Sequence, residues 1–138
     1  MDAKETAKKI LDKSYVGTMA TVEAGKPFSR YMTFFNDGFT LYTATSKKTD
    51  KVDELESNPN THILIGYDGE GFGDAFLEVA GTVTISDEEG LKEKIWNDAM
   101  KPWFEGPDDP NLVILKVTPT AMRLMNKKGE EPQDISLS

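Results

Sequence analysis

The stretch "FSRYMTFFNDGFTLYTAT", from Phe28 to Thr45, decides the fold class of this chain. Two segments rich in β-branched and aromatic residues flank the sequence Asn36-Asp37-Gly38. An Asp-Gly pair tolerates the positive φ angles of the tight turns that join antiparallel strands. The stretch therefore predicts a β-hairpin.

Further strand-like segments lie on both sides of this hairpin. They are VGTMATV before it, and THILIGY, AFLEVAGTVTI, LVILKVTP and AMRLMN after it. Gly81, inside the longest of these segments, indicates a bulge or bend. Six or seven short strands with short connections favour a mainly β, α+β domain built as a small antiparallel barrel.

Three segments have the periodicity of helices. They run from Ala3 to Lys13, from about Asp50 to Ser57, and from an acidic start at Ser86 through Trp96. Residues 128–138 predict a frayed tail. Because no repeat or linker is visible, residues 1–138 are predicted to form one domain.

The composition restricts the possible partners. With 138 residues and a formal net charge of −8, the chain is a poor candidate for binding nucleic acid or an anionic membrane. It has no cysteine, which excludes disulfides and thiol chemistry. No segment approaches the roughly 20 apolar residues of a membrane span, and the N-terminus has no signal-peptide pattern, so a cytoplasmic location is expected.

Residues with an obvious catalytic role are scarce. His62 is the only histidine and lies within an apolar strand, which favours a structural role over a triad or a zinc site. The acidic clusters at 87–89 and 108–109 fit a helix start and a turn. The glycine-rich segment 66–73 lacks the spacing of a phosphate-binding P-loop.

A cluster of hydroxyl and lysine residues lies where the third strand meets the second helix. The N–H groups at the start of a helix, together with its dipole, attract phosphate. The alternative is ordinary capping of the helix by Thr49 beside solvated lysines. The cluster comprises Thr45, Ser46, Lys47, Lys48, Thr49 and Lys51.

Arg30 shares one strand face with Met32 and Phe34. An arginine among apolar neighbours usually has an anionic partner. That partner is either a bound anion or an Asp or Glu of the same chain.

In order along the chain, four segments resemble the pyridoxamine 5′-phosphate oxidase-like split barrels, and most closely the general stress protein 26 branch. The resemblance extends from about Ile10 to Met125. It implies a six-stranded antiparallel split β-barrel that forms a homodimer and binds flavin mononucleotide (FMN) at the subunit interface. The segments are GTMATVEAGKPFSRYMTF, LYTATSKKTDKVDELESNPNTHILIGY, LEVAGTVTISDEE and WFEGPDDPNLVILKVTP.

The resemblance also implies roles for individual residues. Those expected at the flavin ring and ribityl chain, partly through backbone groups, are Arg30, Tyr31, Met32 and Thr33. Thr45 and Ser46 are expected near the ribityl-phosphate region, and Thr49 and Lys51 at the phosphate. Phe76 and Trp103 are expected where the partner subunit covers the cofactor.

The sequence departs from its relatives at two places. Asp50 stands where many relatives carry a cation, and Leu124-Met125 stand where a closing aromatic is common. No basic substrate pocket is evident, so vitamin B6 phosphate oxidation itself is not expected.

Three functions remain possible from the sequence. The first is a flavin-dependent oxidoreductase of the general stress response, with an unidentified small-molecule electron donor or acceptor. The second is a flavin-binding carrier or redox sensor without turnover, and the third is a dimer that has lost its cofactor. FAD could replace FMN, and a deazaflavin is a further candidate.

Overall fold

The computed structural model describes residues 2–47, 55–68, 74–86 and 88–137, and of Lys128 the backbone alone. The helices are α1 (Ala3–Lys13) and α2 (Leu91–Ile95), with helical residues at 55–57 and 3-10 turns at Asp98–Met100 and Lys127–Gly129. The strands are β1 (Val16–Glu23), β2 (Lys26–Asp37), β3 (Thr40–Ser46), β4 (Asn60–Ile65), β5 (Phe76–Ser86), β6 (Leu112–Met125) and β7 (Gln133–Asp134). None of the helices in these ranges has the length and apolar character of a membrane-spanning segment.

The strands form one antiparallel sheet that closes on itself. Its order is β3-β2-β1-β4-β5-β6-β7, and β3 also pairs with β6. This closure makes a six-stranded barrel of β1 to β6, with β7 as a short addition at the edge. The predicted fold class, a mainly β split barrel with about three helices, is confirmed.

The interior of the barrel is an apolar core to which every strand from β1 to β6 contributes. Met19, Phe34 and Leu115 are among its fully buried members. Helix α1 adds Ala7 and Leu11 to this core. Asp2 is the N-cap of α1, because its carboxylate accepts a hydrogen bond of 2.8 Å from the Glu5 backbone N–H.

A second apolar layer lies outside the barrel wall. It joins Tyr42 of β3 and Leu112 and Ile114 of β6 to residues of the segment 88–111, notably Ile95 and Phe104. Since Leu112 to Leu115 are buried on both faces of β6, their sequence is a continuous apolar run rather than an alternating one. The outer layer fixes the segment 88–111 against β3.

Two predicted element boundaries were wrong. Helix α2 begins at Leu91, because Gly90 has a φ of +80°, a left-handed conformation that interrupts a right-handed helix, and Ser86 ends β5. The two predicted closing strands are one strand, β6, which continues through Pro119.

The prediction of a frayed C-terminal tail was also wrong. Gln133 and Asp134 pair with β6, and the Ile135 backbone N–H donates to the Met122 carbonyl at 2.9 Å. The side chain of Ile135 is 6% exposed and belongs to the core. Burial of Ile135, with Leu137 partly buried against the same core, anchors this segment.

The bulge predicted at Gly81 is confirmed. Ala80 pairs with Ala121, whereas Gly81 pairs with Pro119, so the register shifts here and Thr120 is the extra residue on β6. The Thr120 hydroxyl donates to the Ala80 carbonyl at 3.2 Å. A Cβ on Gly81 would lie 2.7 Å from the backbone oxygen of Thr118. Only glycine fits here without a shift of the backbone.

We expect Gly81→Ala to destabilise the protein by about 1–3 kcal/mol, because the added methyl forces β5 and β6 apart. Gly106→Ala is the matched control, since a Cβ at that position meets no atom within 4 Å. The free energy of unfolding in urea should change by less than about 0.5 kcal/mol in the control. Equal losses in the two variants would contradict the close approach at Gly81.

Candidate functional site

A groove with a volume of about 750 Å³ lies on the outer side of β2 and β3. One wall is formed by the sheet and the other by the segment 97–104. The lining residues are Tyr31, Met32, Thr33 and Phe35 of β2, Ala44, Thr45 and Ser46 of β3, and Asn97, Ala99, Met100, Trp103 and Phe104.

Strand alternation explains the sheet side of the groove. Successive side chains on a strand point to opposite faces. Phe34 is buried in the barrel core, so Thr33 and Phe35 point outward. Because the inward-facing Phe34 pairs with Thr43, Ala44 and Ser46 of β3 share this outward face.

Local hydrogen bonds hold the opposite wall. The Asn97 side chain accepts a hydrogen bond of 2.8 Å from the Ala99 backbone N–H. The Met100 carbonyl accepts from the N–H groups of both Trp103 and Phe104, each at 3.0 Å. Phe104 is buried in the outer layer, whereas the Trp103 side chain is 74% exposed at the groove. The buried Phe104 thus anchors the segment 97–104, and the neighbouring Trp103 is exposed at the groove.

The described side chains that line the groove are uncharged. Aromatic rings and thioethers supply flat apolar surface, and hydroxyl and amide groups supply a few polar contacts. No Lys, Arg, His, Asp or Glu is among the described residues that line the groove. Such a site suits a planar, largely apolar ligand held in orientation by a small number of hydrogen bonds.

The structure brings six of the predicted site residues together in this groove. Thr49 and Lys51, the predicted phosphate contacts, lie outside the described residues, as do Lys48 and Asp50. The six are Tyr31, Met32, Thr33, Thr45, Ser46 and Trp103.

The Arg30 side chain does not line the groove. Its Nη1 donates to the Thr21 hydroxyl at 2.8 Å, and its Nη2 lies 3.3 Å from the Glu23 carboxylate. It shares the inward face of β2 with Phe34. Of the two anionic partners considered from the sequence, the structure shows the glutamate of the same chain.

Phe76 lies away from the groove of its own chain. It is half-buried at the start of β5, and its ring meets the Tyr67 ring edge-on, with centroids 6.0 Å apart and an interplanar angle of 89°. A contact between Phe76 and the groove therefore requires a second subunit.

The sequence analysis missed six of the lining residues. Phe35 and Ala44 could have been found, because they extend the strand faces of Thr33 and Ser46. The others depend on how the segment 97–104 folds back over the sheet, which no local pattern reveals. The six are Phe35, Ala44, Asn97, Ala99, Met100 and Phe104.

His62 belongs to a charged cluster on the opposite part of the sheet. Arg123 contacts the Glu78 carboxylate through Nε at 3.0 Å and Nη2 at 2.6 Å, and His62 Nε2 lies 3.7 Å from the same oxygen. Within the described ranges, no group of three or more His, Cys, Asp or Glu residues could hold a metal ion.

The chain matches a known family over most of its length. The family model for pyridoxamine 5′-phosphate oxidase matches residues 3–126. The chain therefore belongs to the pyridoxamine 5′-phosphate oxidase family, as the sequence motifs indicated.

Within that family the chain is similar to general stress proteins. The chain is 54% identical over 136 residues to general stress protein 26 of Bacillus subtilis (strain 168), which covers 99% of this chain and 97% of that protein. The crystal structure of general stress protein 26 from Bacillus anthracis str. Sterne superposes with a TM-score of 0.86 at 33% identity, covering 98% of this chain and 100% of that one. A FAD-binding protein from Mesorhizobium loti shares the fold, with a TM-score of 0.69 and 20% identity over 88% of this chain and 92% of that one.

The contacts of Arg30 generate a prediction. Arg30→Ala removes the donors to Thr21 and Glu23 and should destabilise the protein by about 1–2 kcal/mol. Lys26→Ala, on the same strand and exposed, is the control. Unfolding in urea measures the effect, and equal free energies of unfolding in the Arg30→Ala and Lys26→Ala variants would contradict these contacts.

Proposed function

We propose that this chain binds FMN in the groove as a homodimer and acts as a flavin-dependent oxidoreductase of the general stress response. The observation that carries the proposal is that residues predicted from separate motifs line a single neutral groove. A volume of about 750 Å³ lies within the range of cofactor sites. The name of the relative from Bacillus subtilis supports the link to general stress.

The described lining fits the parts of a flavin. Tyr31, Thr33 and Trp103 would border the flat ring. Thr45 and Ser46, at the end of β3, would follow the ribityl chain. Lys47 comes directly after them, and the sequence continues into the predicted phosphate residues. A neutral groove that is followed in the sequence by a lysine cluster would suit a neutral ring that ends in a phosphate.

A bound flavin supplies electron transfer by itself, and the protein's part is to bind, orient and tune it. In this chain, Phe35 and Phe104 would exclude water from the apolar side of the groove, while the hydroxyls of Thr33 and Thr45 offer polar contacts. A second phosphate-bearing substrate would need its own cations. Because the described lining contains no Lys or Arg, we do not extend the proposal to vitamin B6 phosphate oxidation.

A flavin carrier or redox sensor without turnover is the second candidate. It is favoured by the neutral lining, which includes no His, Asp or Glu among the described residues to move a proton. The two candidates differ in the reoxidation of the reduced flavin. An enzyme transfers electrons to a specific organic acceptor faster than to oxygen, and a carrier does not.

The exposed apolar surface supports the homodimer. Tyr31 of β2 and Leu64 of β4 both pair with Thr18 of β1, so the three lie in one row across the outer face. Tyr31 also lines the groove. An interface over this row would meet the edge of the groove, and the partner's Phe76 could then reach it. Exposed apolar strand residues of this kind mark interaction surfaces.

The cofactor proposal is tested by titrating the purified protein with FMN, FAD and riboflavin while flavin fluorescence is recorded. We expect saturable binding of FMN and a loss of at least roughly tenfold in FMN affinity in Lys51→Ala, because a charged phosphate contact is removed. Riboflavin, which has no phosphate, should bind this variant and the unaltered protein equally well. Lys26→Ala is the matched control.

Each other outcome has a defined meaning. Absence of binding by all three flavins, or a haem spectrum in the purified protein, would contradict the proposal. Equal affinity for FMN and riboflavin would mean that the protein makes no favourable contact with the phosphate. The proposed site for the flavin ring would be unaffected. Tighter binding of FAD than of FMN would mean that FAD is the cofactor and that it occupies the same site.

The dimer proposal is tested by placing a charge in the apolar row. We expect Leu64→Lys to weaken self-association by at least roughly tenfold, because a buried interface would have to desolvate the ammonium group. Sedimentation velocity measures the effect, and FMN affinity should fall with it. Ile85→Lys, at an equally exposed apolar strand position outside the row, is the control. A monomeric unaltered protein would contradict the proposal.

A further inference from the structure

A second cavity, with a volume of about 430 Å³, lies between the end of the β2–β3 hairpin and helix α2. It is separate from the groove and shares with it only Phe35. The lining residues are Phe35, Asn36, Asp37, Tyr42, Glu88, Glu89, Gly90, Leu91, Lys94 and Ile95.

Tyr42 is the polar group at the base of this cavity. Its side chain belongs to the outer apolar layer and the residue is only 9% exposed. No described residue forms a hydrogen bond with its hydroxyl. Since no buried side-chain polar atom in the described residues is without a partner, the hydroxyl must reach the cavity surface. A buried phenol whose hydroxyl opens only into a cavity offers a hydrogen bond to a ligand there.

The charge around this hydroxyl is negative. The cavity is lined by the carboxylates of Asp37, Glu88 and Glu89 and by one cation, Lys94. Among the ion pairs between described residues, none involves these four side chains. Burial, and then the charges of Glu88 and Asp37, raise the pKa of Tyr42.

The arrangement does not suit a metal ion. The carboxylates in the described residues are not close enough together for three of them to ligate one cation. The cavity has instead an apolar side, formed by Phe35, Leu91 and Ile95. A ligand that matches both sides carries one positive charge on an apolar body.

We propose that this second cavity binds a small organic amine in its ammonium form. The ammonium donates to the Tyr42 oxygen and to the carboxylates of Asp37 and Glu88, and the apolar body packs on Phe35, Leu91 and Ile95. Charge-assisted hydrogen bonds in a partly enclosed site give such a pocket its selectivity for cations. The proposal does not rest on flavin binding.

The test uses 2-phenylethylamine as the probe and 2-phenylethanol as its neutral analogue. The full-length protein, labelled with ¹⁵N, is titrated with each at neutral pH and followed by NMR. We expect saturable shifts centred on Phe35, Tyr42 and Ile95, and an affinity for the alcohol that is lower by at least roughly tenfold.

Variants separate the site from the general attraction of an acidic protein for cations. Asp37→Asn/Glu88→Gln should lower amine affinity by at least roughly tenfold, and Tyr42→Phe by about threefold, because specific contacts are lost. Tyr42→Phe removes a hydroxyl that has no partner in the described residues and should therefore fold normally. Glu5→Gln/Glu131→Gln removes two exposed carboxylates elsewhere and should change affinity by less than about twofold.

Three results would overturn the proposal. They are shifts that are diffuse and do not saturate, equal affinity for the amine and the alcohol, and an equal loss of affinity in the two double variants. None of them depends on whether the groove binds flavin.

Discussion

The pairing of β3 with β6 is the interaction on which the rest of this structure depends. It closes the barrel, with Leu41 to Ser46 paired to Leu112 to Val117. Each strand of this pair carries apolar residues on both faces, so one ladder joins the inner core to the outer layer. The outer layer holds the segment 97–104 in place, and that segment forms the second wall of the groove. The groove therefore exists because the barrel is closed at this seam.

The local features of the fold could be predicted from the sequence. The turn at Gly38 follows from a positive φ that glycine adopts easily, and the bulge at Gly81 from a close approach of β6 that leaves no room for a Cβ. The alternation of β2 places Tyr31 and Thr33 on one face, which is why residues from the family motifs meet in the groove. Periodicity and turn chemistry act over a few residues, and the sequence displays them directly.

Features set by distant contacts could not be predicted. The burial of Ile135 depends on its pairing with Met122, and nothing in the polar sequence around it indicates a core residue. Arg30 was assigned to the cofactor by resemblance, whereas its guanidinium finds Thr21 and Glu23 on the neighbouring strand. The sequence showed that Arg30 needs an anionic partner but could not show which one. Phe104 was missed for the same reason, since the segment 97–104 meets the sheet only in the folded chain.

The groove and the second cavity differ in the charge of the side chains that line them. The groove is neutral in its described lining, whereas the second cavity combines three carboxylates with an apolar side. Phe35 lies between them and contributes to both. An acidic protein can bind an anionic cofactor only where positively charged side chains are concentrated locally. The lysine cluster after Ser46 is such a place in the sequence.

The central claim is that the groove is the flavin site. A crystal structure of the protein grown with excess FMN tests it most directly. The account predicts that the flavin ring lies between Thr33 and Trp103, with the ribityl chain passing Thr45 and Ser46. A flavin bound elsewhere on the barrel, or an empty groove at saturating FMN, would contradict it.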